Sequence, residues 1–139
     1  MFVNLTSIRV RYAETDQMAV VYYGNYPQYF EVGRVEALRS VGLSYKKMEE
    51  EGIMLPVLNL QIKYIGPAHY DELLKLRTVI KELPQSRIRF DHELYNEEGK
   101  LITIGMVELV FVNKATGRPC RCPNELLQAL EPFFKGAIT

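Results

Sequence analysis

Apolar and polar positions along this chain change period several times, and each change marks an element. From Ser7 to Tyr12, the apolar Ile8, Val10 and Tyr12 alternate with Arg9 and Arg11, the two-residue period of a half-buried strand. Beyond a turn, Phe30, Gly33, Ala37, Leu38 and Val41 take up helical spacing. Pro27 suits a first helical turn, Asn25 is available as its cap, and Gly42 is a natural stop. Glu31 with Arg34, and Glu36 with Arg39, stand three apart on the polar flanks. Val32 and Val35 widen the apolar stripe, as in a helix covered on more than one side. Gly33 weakens the helix and implies close approach of a sheet.

Ser44 then opens a short polar helix from Tyr45 to Glu51, closed by Gly52. Val57 to Tyr64 is the clearest strand: Leu58, Leu60, Ile62 and Tyr64 alternate with Asn59, Gln61 and Lys63 until Gly66-Pro67 breaks it. Glu72 to Leu83 predicts a third strand with Pro84 as stop. Arg87 to Tyr95 predicts a fourth, with Ile88, Phe90, His92 and Leu94 on one face. Glu97-Glu98-Gly99-Lys100 makes a turn into a more continuously apolar fifth strand, Leu101 to Asn113. A last helix runs from about Asn124 to Phe134. Helices gathered ahead of an antiparallel meander predict an α+β domain. One such sheet has free edges, which favours association through an edge.

Composition narrows the class. A length of 139 residues, without repeats or linkers, fits one domain spanning 1–139. Seventeen acidic residues balance seventeen basic ones, which speaks against a nucleic-acid or anionic-membrane partner. No apolar run reaches the length of a membrane span. Met-Phe-Val-Asn-Leu-Thr lacks the basic start and apolar core of a signal peptide, so a cytoplasmic location is expected. Cys120 and Cys122 are separated by one residue, a poor spacing for a disulfide. With only His69 and His92 to join them, neither a metal site nor redox chemistry is expected. No Walker-type or Rossmann-type glycine pattern occurs.

The stretch with most chemistry runs from Tyr12 to Arg34. It leaves a strand, turns at Asp16, passes Gly24-Asn25 and enters the long helix. An ionised carboxylate is thereby set near a helix start, whose unbonded N–H groups polarise a carbonyl or hold an oxyanion. Such a pair suits hydrolysis of an activated acyl group. Asp is also common in turns simply because its carboxylate accepts local N–H bonds, and from the residues alone both readings of Asp16 stand.

The run Asp16-x-x-x-Val20-Val21-Tyr22-Tyr23-x-Asn25-Tyr26, continued by Tyr29-Phe30-Glu31 and Arg34, closely resembles the 4-hydroxybenzoyl-CoA thioesterase family. A second patch, Tyr64-x-x-Pro67-Ala68-x-Tyr70-Asp71-Glu72-Leu73, is similar to that family's turn between its second and third strands. The resemblance covers about Ile8 to Phe111 and implies a hotdog fold, a long central helix wrapped by a five-stranded antiparallel sheet, here with a C-terminal helix. It implies an acyl-CoA thioesterase without metal or organic cofactor, CoA being part of the substrate. It implies dimers, often paired into tetramers, with each active site between two subunits.

Asp16 falls at the family's catalytic carboxylate, as nucleophile or as general base. Tyr23 falls where a backbone N–H is implied to bind the thioester oxygen, and Gly24 permits close backbone approach. Relatives carry His or Tyr at the Tyr23 position and often Gly at that of Ala19, and the resemblance implies that Met18, beside Ala19, narrows the pocket mouth. Basic residues at the start of the fourth strand contact CoA phosphates in the family, which implies that role for Arg87 and Arg89. His92 reads as a hydrogen-bonded core or interface histidine, and His69, Asp71 and Glu72 as turn residues. Two other readings are a non-catalytic acyl-CoA or acyl-carrier-protein binding module and a hotdog hydratase or dehydratase. The latter generally needs a His-centred site, and neither histidine lies in the opening motif.

Overall fold

A computed structural model describes residues 1–135. Strand β1 (Phe2–Arg9) leads through a single 3-10 turn (Tyr12–Glu14) and a tight hairpin into a second 3-10 turn (Tyr23–Asn25) and the long helix α1 (Tyr26–Ser40). Helix α2 (Tyr45–Glu50) and the short β2 (Ile53–Met54) precede the long strands β3 (Val57–Tyr64), β4 (Leu73–Ile80), β5 (Arg87–Tyr95) and β6 (Leu101–Val110). Two-residue strands β7 (Val112–Asn113) and β8 (Arg118–Pro119) lead to helices α3 (Asn124–Leu130) and α4 (Pro132–Lys135). No helix among the described residues is long and apolar enough to cross a membrane.

The five long strands form one antiparallel sheet in the order β1-β4-β5-β6-β3, and β2, β7 and β8 form a separate small sheet. This corrects the expected meander, which holds only for β4, β5 and β6. Strand β3 crosses to the far side and pairs with β6, because Ile65–Glu72 is spent on a loop that docks elsewhere rather than on a hairpin. The C-terminal helix is also corrected. It breaks after Leu130, since Pro132 has no N–H to continue the ladder.

Helix α1 packs across the inner face of the sheet, against β1, β4 and β5. Tyr26, Tyr29, Phe30, Gly33, Ala37 and Leu38 form its buried stripe, and Leu74, Leu76, Phe90, Leu94 and Val107 answer from the strands. Two glycines make this approach possible. A Cβ on Gly33 would run into Leu76 and stand 2.7 Å from Thr78 Oγ1, while one on Gly105 would overlap the Phe30 ring. Glu36 pairs with Arg39 as expected. Glu31 and Arg34 do not pair among the described residues, a further correction. Arg34 instead lies beside Tyr45, with its Nε buried, and burial pushes the Tyr45 hydroxyl up to about 12.

His92 is the one buried histidine, sealed under α1. Its Nδ1 lies 3.0 Å from Thr78 Oγ1, its ring stacks on Phe30 with centroids 4.7 Å apart, and Nε2 has no partner among the described residues. Burial, reinforced by the positive charge of Arg34, pulls its pKa from 6.5 down to about 3. The unfolded chain therefore binds this proton between those limits and the folded protein does not. Folding stability should accordingly fall as pH is lowered below about 6.5, toward about 3. Denaturant titrations at stepped pH should show that decline, with a shallower slope in His92→Leu; equal slopes in the two proteins would contradict the assignment.

Candidate active site

The two sequence motifs, about fifty residues apart, fold against each other. The Val21 N–H donates to Ala68 C=O at 2.8 Å, and Val20 bridges His69. On the strand side, Val10 N–H donates to Glu72 C=O (2.9 Å) and Asp71 N–H to Val10 C=O (3.0 Å). The rings of Tyr12 and Tyr70 meet edge to face at 5.6 Å. Turn roles expected for Asp71 and Glu72 are seen here: Asp71 adopts a φ of +65°, and Glu72 accepts from the N–H groups of His69 and Glu97. The exposed His69 side chain faces Glu72, 3.5 Å away.

Asp16 opens a four-residue turn. Ala19 N–H donates to Asp16 C=O at 3.0 Å, Asp16 N–H to Val20 C=O at 2.9 Å, and Thr15 bridges Val21. Ala19 holds a φ of +62°, the left-handed region that a glycine would occupy without strain. The Asp16 carboxylate accepts from Met18 N–H through Oδ1, at 2.8 Å. The turn reading of Asp16 is therefore realised, and it consumes one oxygen. No hydrogen bond reaches Oδ2 among the described residues, so the exposed side chain keeps a second acceptor.

The chain then runs from this turn into the start of α1. Asn25 N–H donates to Tyr22 C=O at 2.9 Å, and the Tyr64 hydroxyl donates to Tyr23 C=O at 2.9 Å. Across a trans peptide the N–H points opposite the C=O, so these two bonds fix the directions of Tyr23 N–H and Gly24 N–H. Neither N–H meets a protein acceptor among the described residues, leaving two aligned donors at the positive end of α1. Gly24 is constrained by its neighbour: an added Cβ would stand 2.6 Å from Cε2 of Tyr22. Asn25 does not cap α1 with its side chain, contrary to expectation; its Nδ2 donates backwards to Glu14 C=O at 2.8 Å.

Tyr22, Tyr23 and Tyr64 line this corner, with Tyr22 and Tyr23 centroids 4.7 Å apart and the Tyr23 and Tyr64 rings edge to face. All three are exposed, as are Tyr12, Met18, Ile65 and Tyr70. On one chain the Asp16 corner is thus an open, largely aromatic surface.

Arg87 and Arg89 lie elsewhere. They project from the outer face of β5 at its first residues, roughly 20 Å of strand away from the β4 end beside Asp16. With Lys81, Gln85, Asp91 and Glu108 they line a cleft of about 590 Å³. Arg89 donates to Asp91 at 3.0 Å, a bond that raises its pKa further, and Arg87 stands 3.7 Å from Glu108. A single chain does not bring these cations to Asp16. Cys120 and Cys122 are free thiols; burial pushes the latter up to about 12. Among the described residues, no group of three or more His, Cys, Asp or Glu side chains is placed to hold a metal.

Sequence reading missed Glu14 and gave Tyr64 no role beyond its place in a strand and a motif. Glu14 is buried in this corner, and Tyr64 pins the Tyr23 peptide. Glu14 followed by three polar residues gave no periodic signal, whereas Tyr64 was visible as the last inward position of β3.

Comparison with known proteins agrees with this architecture. Residues 10–130 match the model of the thioesterase-like superfamily. The chain is 35% identical over 119 residues to a putative acyl-CoA thioesterase, YneP, of Bacillus subtilis, covering 86% of each protein. It superimposes on the DHNA-CoA thioesterase of Staphylococcus aureus with a TM-score of 0.87 at 36% identity, over 97% of each chain. A 4-hydroxybenzoyl-CoA thioesterase shares the fold, with a TM-score of 0.82 at 19% identity over 93% of this chain and 99% of that one. The five-stranded antiparallel sheet against one long helix is thus the hotdog fold, and this chain belongs to the thioesterase-like superfamily.

Proposed function

We propose that this thioester hydrolase cleaves acyl-CoA with the Asp16 carboxylate and the N–H groups of Tyr23 and Gly24 acting together on the thioester carbonyl. The observations that support the reading are a turn that leaves Asp16 Oδ2 without a partner among the described residues and, seven residues on, a helix start whose first N–H groups are oriented and unbonded. Those N–H groups stabilise the oxyanion as it forms. Oδ2 either attacks the acyl carbon, giving a mixed anhydride that water opens, or takes a proton from the attacking water. In both routes the CoA thiolate leaves, one water is consumed, and every other group the scheme calls on is a side chain or peptide of the protein. A His-centred hydratase is less well supported, because His92 is sealed beneath α1 and His69 faces Glu72.

The open surface around Asp16 supports a homodimer or homotetramer. Strand β3 is a free sheet edge on which Val57, Leu58, Leu60 and Tyr64 are all exposed, although Leu60 and Tyr64 sit on the inner face. A second copy against this edge would cover those side chains and close the Asp16 corner. It would also let the Arg87 and Arg89 of one subunit serve the CoA phosphates of a site the other begins.

Asp16→Asn should lower kcat by about 100- to 10,000-fold, read as CoA thiol release, while the variant elutes at the wild-type size. Near-normal turnover by that variant would remove Asp16 from the mechanism. The wild type should run as a dimer or larger in light scattering, and Leu60→Lys should shift it toward monomer with loss of kcat. A fully active monomer would contradict the shared site. Arg87→Ala with Arg89→Ala should raise KM for an acyl-CoA more than for the acyl-pantetheine lacking the nucleotide. Equal changes for the two would count against phosphate contact.

A further inference from the structure

We infer that Glu14 is a positioning residue of this site: its buried carboxylate and its carbonyl set the gap between the Asp16 carboxylate and the N–H groups of Tyr23 and Gly24. The inference rests on the mechanism proposed above and concerns a residue which that mechanism does not use.

Glu14 is the only acidic side chain among the buried residues described, at 7% exposure. A carboxylate in such a place is costly unless its acceptor sites are filled. They are filled here from both sides of the corner. Oε1 accepts from Arg11 N–H at 2.8 Å and from the Tyr29 hydroxyl at 2.9 Å; Oε2 accepts from Arg11 Nε at 3.2 Å and Nη2 at 3.1 Å. The Glu14 carbonyl accepts two more, from Tyr22 N–H at 2.9 Å and Asn25 Nδ2 at 2.8 Å.

These partners fall on the three segments that carry the site. Arg11 follows the exit of β1, where the chain turns toward Asp16. Tyr22 and Asn25 flank the two peptides whose N–H groups point outward, and Tyr29 lies in the first full turn of α1. Glu14 is two residues from Asp16, and the intervening Thr15 is bridged to Val21. Any slippage of the hairpin relative to the helix therefore has to break bonds at Glu14. The bonds differ in weight. The Arg11 side chain is 74% exposed, so its forked contact with Oε2 is solvent-screened. The Oε1 link to Tyr29 is buried and joins hairpin to helix directly. Burial of Tyr29 and its bond to Glu14 both hold that hydroxyl protonated, as a standing donor.

The test measures kcat and KM per folded protein, on whichever of acetyl-, hexanoyl-, palmitoyl- or benzoyl-CoA the wild type turns over fastest. Glu14→Ala should lose about 100-fold in kcat and Tyr29→Phe about tenfold, with KM little changed, the signature of misplaced rather than unbound substrate. Glu14→Gln keeps an Oε1 acceptor for Tyr29 and for Arg11 N–H and turns Oε2 into a donor facing the exposed, screened Arg11 side chain, so it should recover kcat to within about threefold of wild type. Wild-type kcat in folded Glu14→Ala and Tyr29→Phe overturns the inference, as does a loss confined to KM or matched by the fraction of protein unfolded. Should Glu14→Ala not fold, Tyr29→Phe decides alone. Asp16→Asn run alongside separates the two ideas. If it is fully active the mechanism itself fails, whereas an inactive Asp16→Asn beside unimpaired Glu14→Ala and Tyr29→Phe removes only the positioning role.

Discussion

The closeness of α1 to the sheet is the constraint on which the remaining structure depends. Gly33 on the helix and Gly105 on β6 leave room for Leu76, Thr78 and Phe30 where any side chain would intrude. Close packing of this kind has few alternative solutions, because an interior tolerates neither voids nor overlap. Once the helix is seated, its first turn has one position relative to β1 and β4. The hairpin carrying Asp16 must then fit between the end of β1 and that first turn. The docked loop Pro67–Glu72 closes the same corner from the β4 side. The hairpin that carries Asp16 and the first turn of α1 are thus held in one place by a hydrophobic contact many residues away.

Polar groups inside this packing are few, and each has a definite surrounding. His92 lies neutral between Thr78 and Phe30, and Glu14 gathers every bond its carboxylate accepts. The outer parts are less complete. Strand β3 presents apolar side chains at a sheet edge, and the aromatic residues around Asp16 stand open. Both features fall on the same side of the molecule, since Tyr64 at the end of β3 reaches the Tyr23 peptide. On the proposed reading one neighbouring subunit answers both.

Much of the fold was legible in the sequence, for reasons that can be named. Strands β3 and β5 were read with their observed limits, because strict alternation from Leu58 to Tyr64 and from Arg87 to Leu94 leaves little freedom in register. Helix α1 was read within a residue or two from its apolar spacing and its flanking Pro27 and Gly42. Strand order was not legible, because alternation says which face a residue takes and nothing about which strand lies beside it. Strand β1 runs from Phe2 to Arg9, starting earlier than the expected Ser7–Tyr12 because Val3, Leu5 and Thr6 blur the pattern, and ending earlier because Tyr12 is exposed in a 3-10 turn. The small sheet of β2, β7 and β8 has two-residue strands, too short to show any period. Asp16, Tyr23 and Gly24 were reached through a motif resemblance, and local patterning alone left Asp16 more readily a turn residue than a catalytic one. That ambiguity has a physical basis: one carboxylate oxygen closes the turn and the other is left over. Glu14 was missed because its importance lies in bonds to Tyr22, Asn25 and Tyr29, none of which a single sequence announces.

The central claim is that the peptide N–H groups at the start of α1 polarise the thioester carbonyl which the Asp16 carboxylate addresses. Isotope-edited infrared spectroscopy of a carbonyl-labelled benzoyl-CoA, bound to the slowed Asp16→Asn protein, reads that polarisation directly. The account predicts a carbonyl stretch at clearly lower frequency than for the same thioester in water, because two oriented donors in a corner closed by a second subunit weaken the C=O bond more than solvent does. A bound thioester whose carbonyl absorbs at its solution frequency would contradict it.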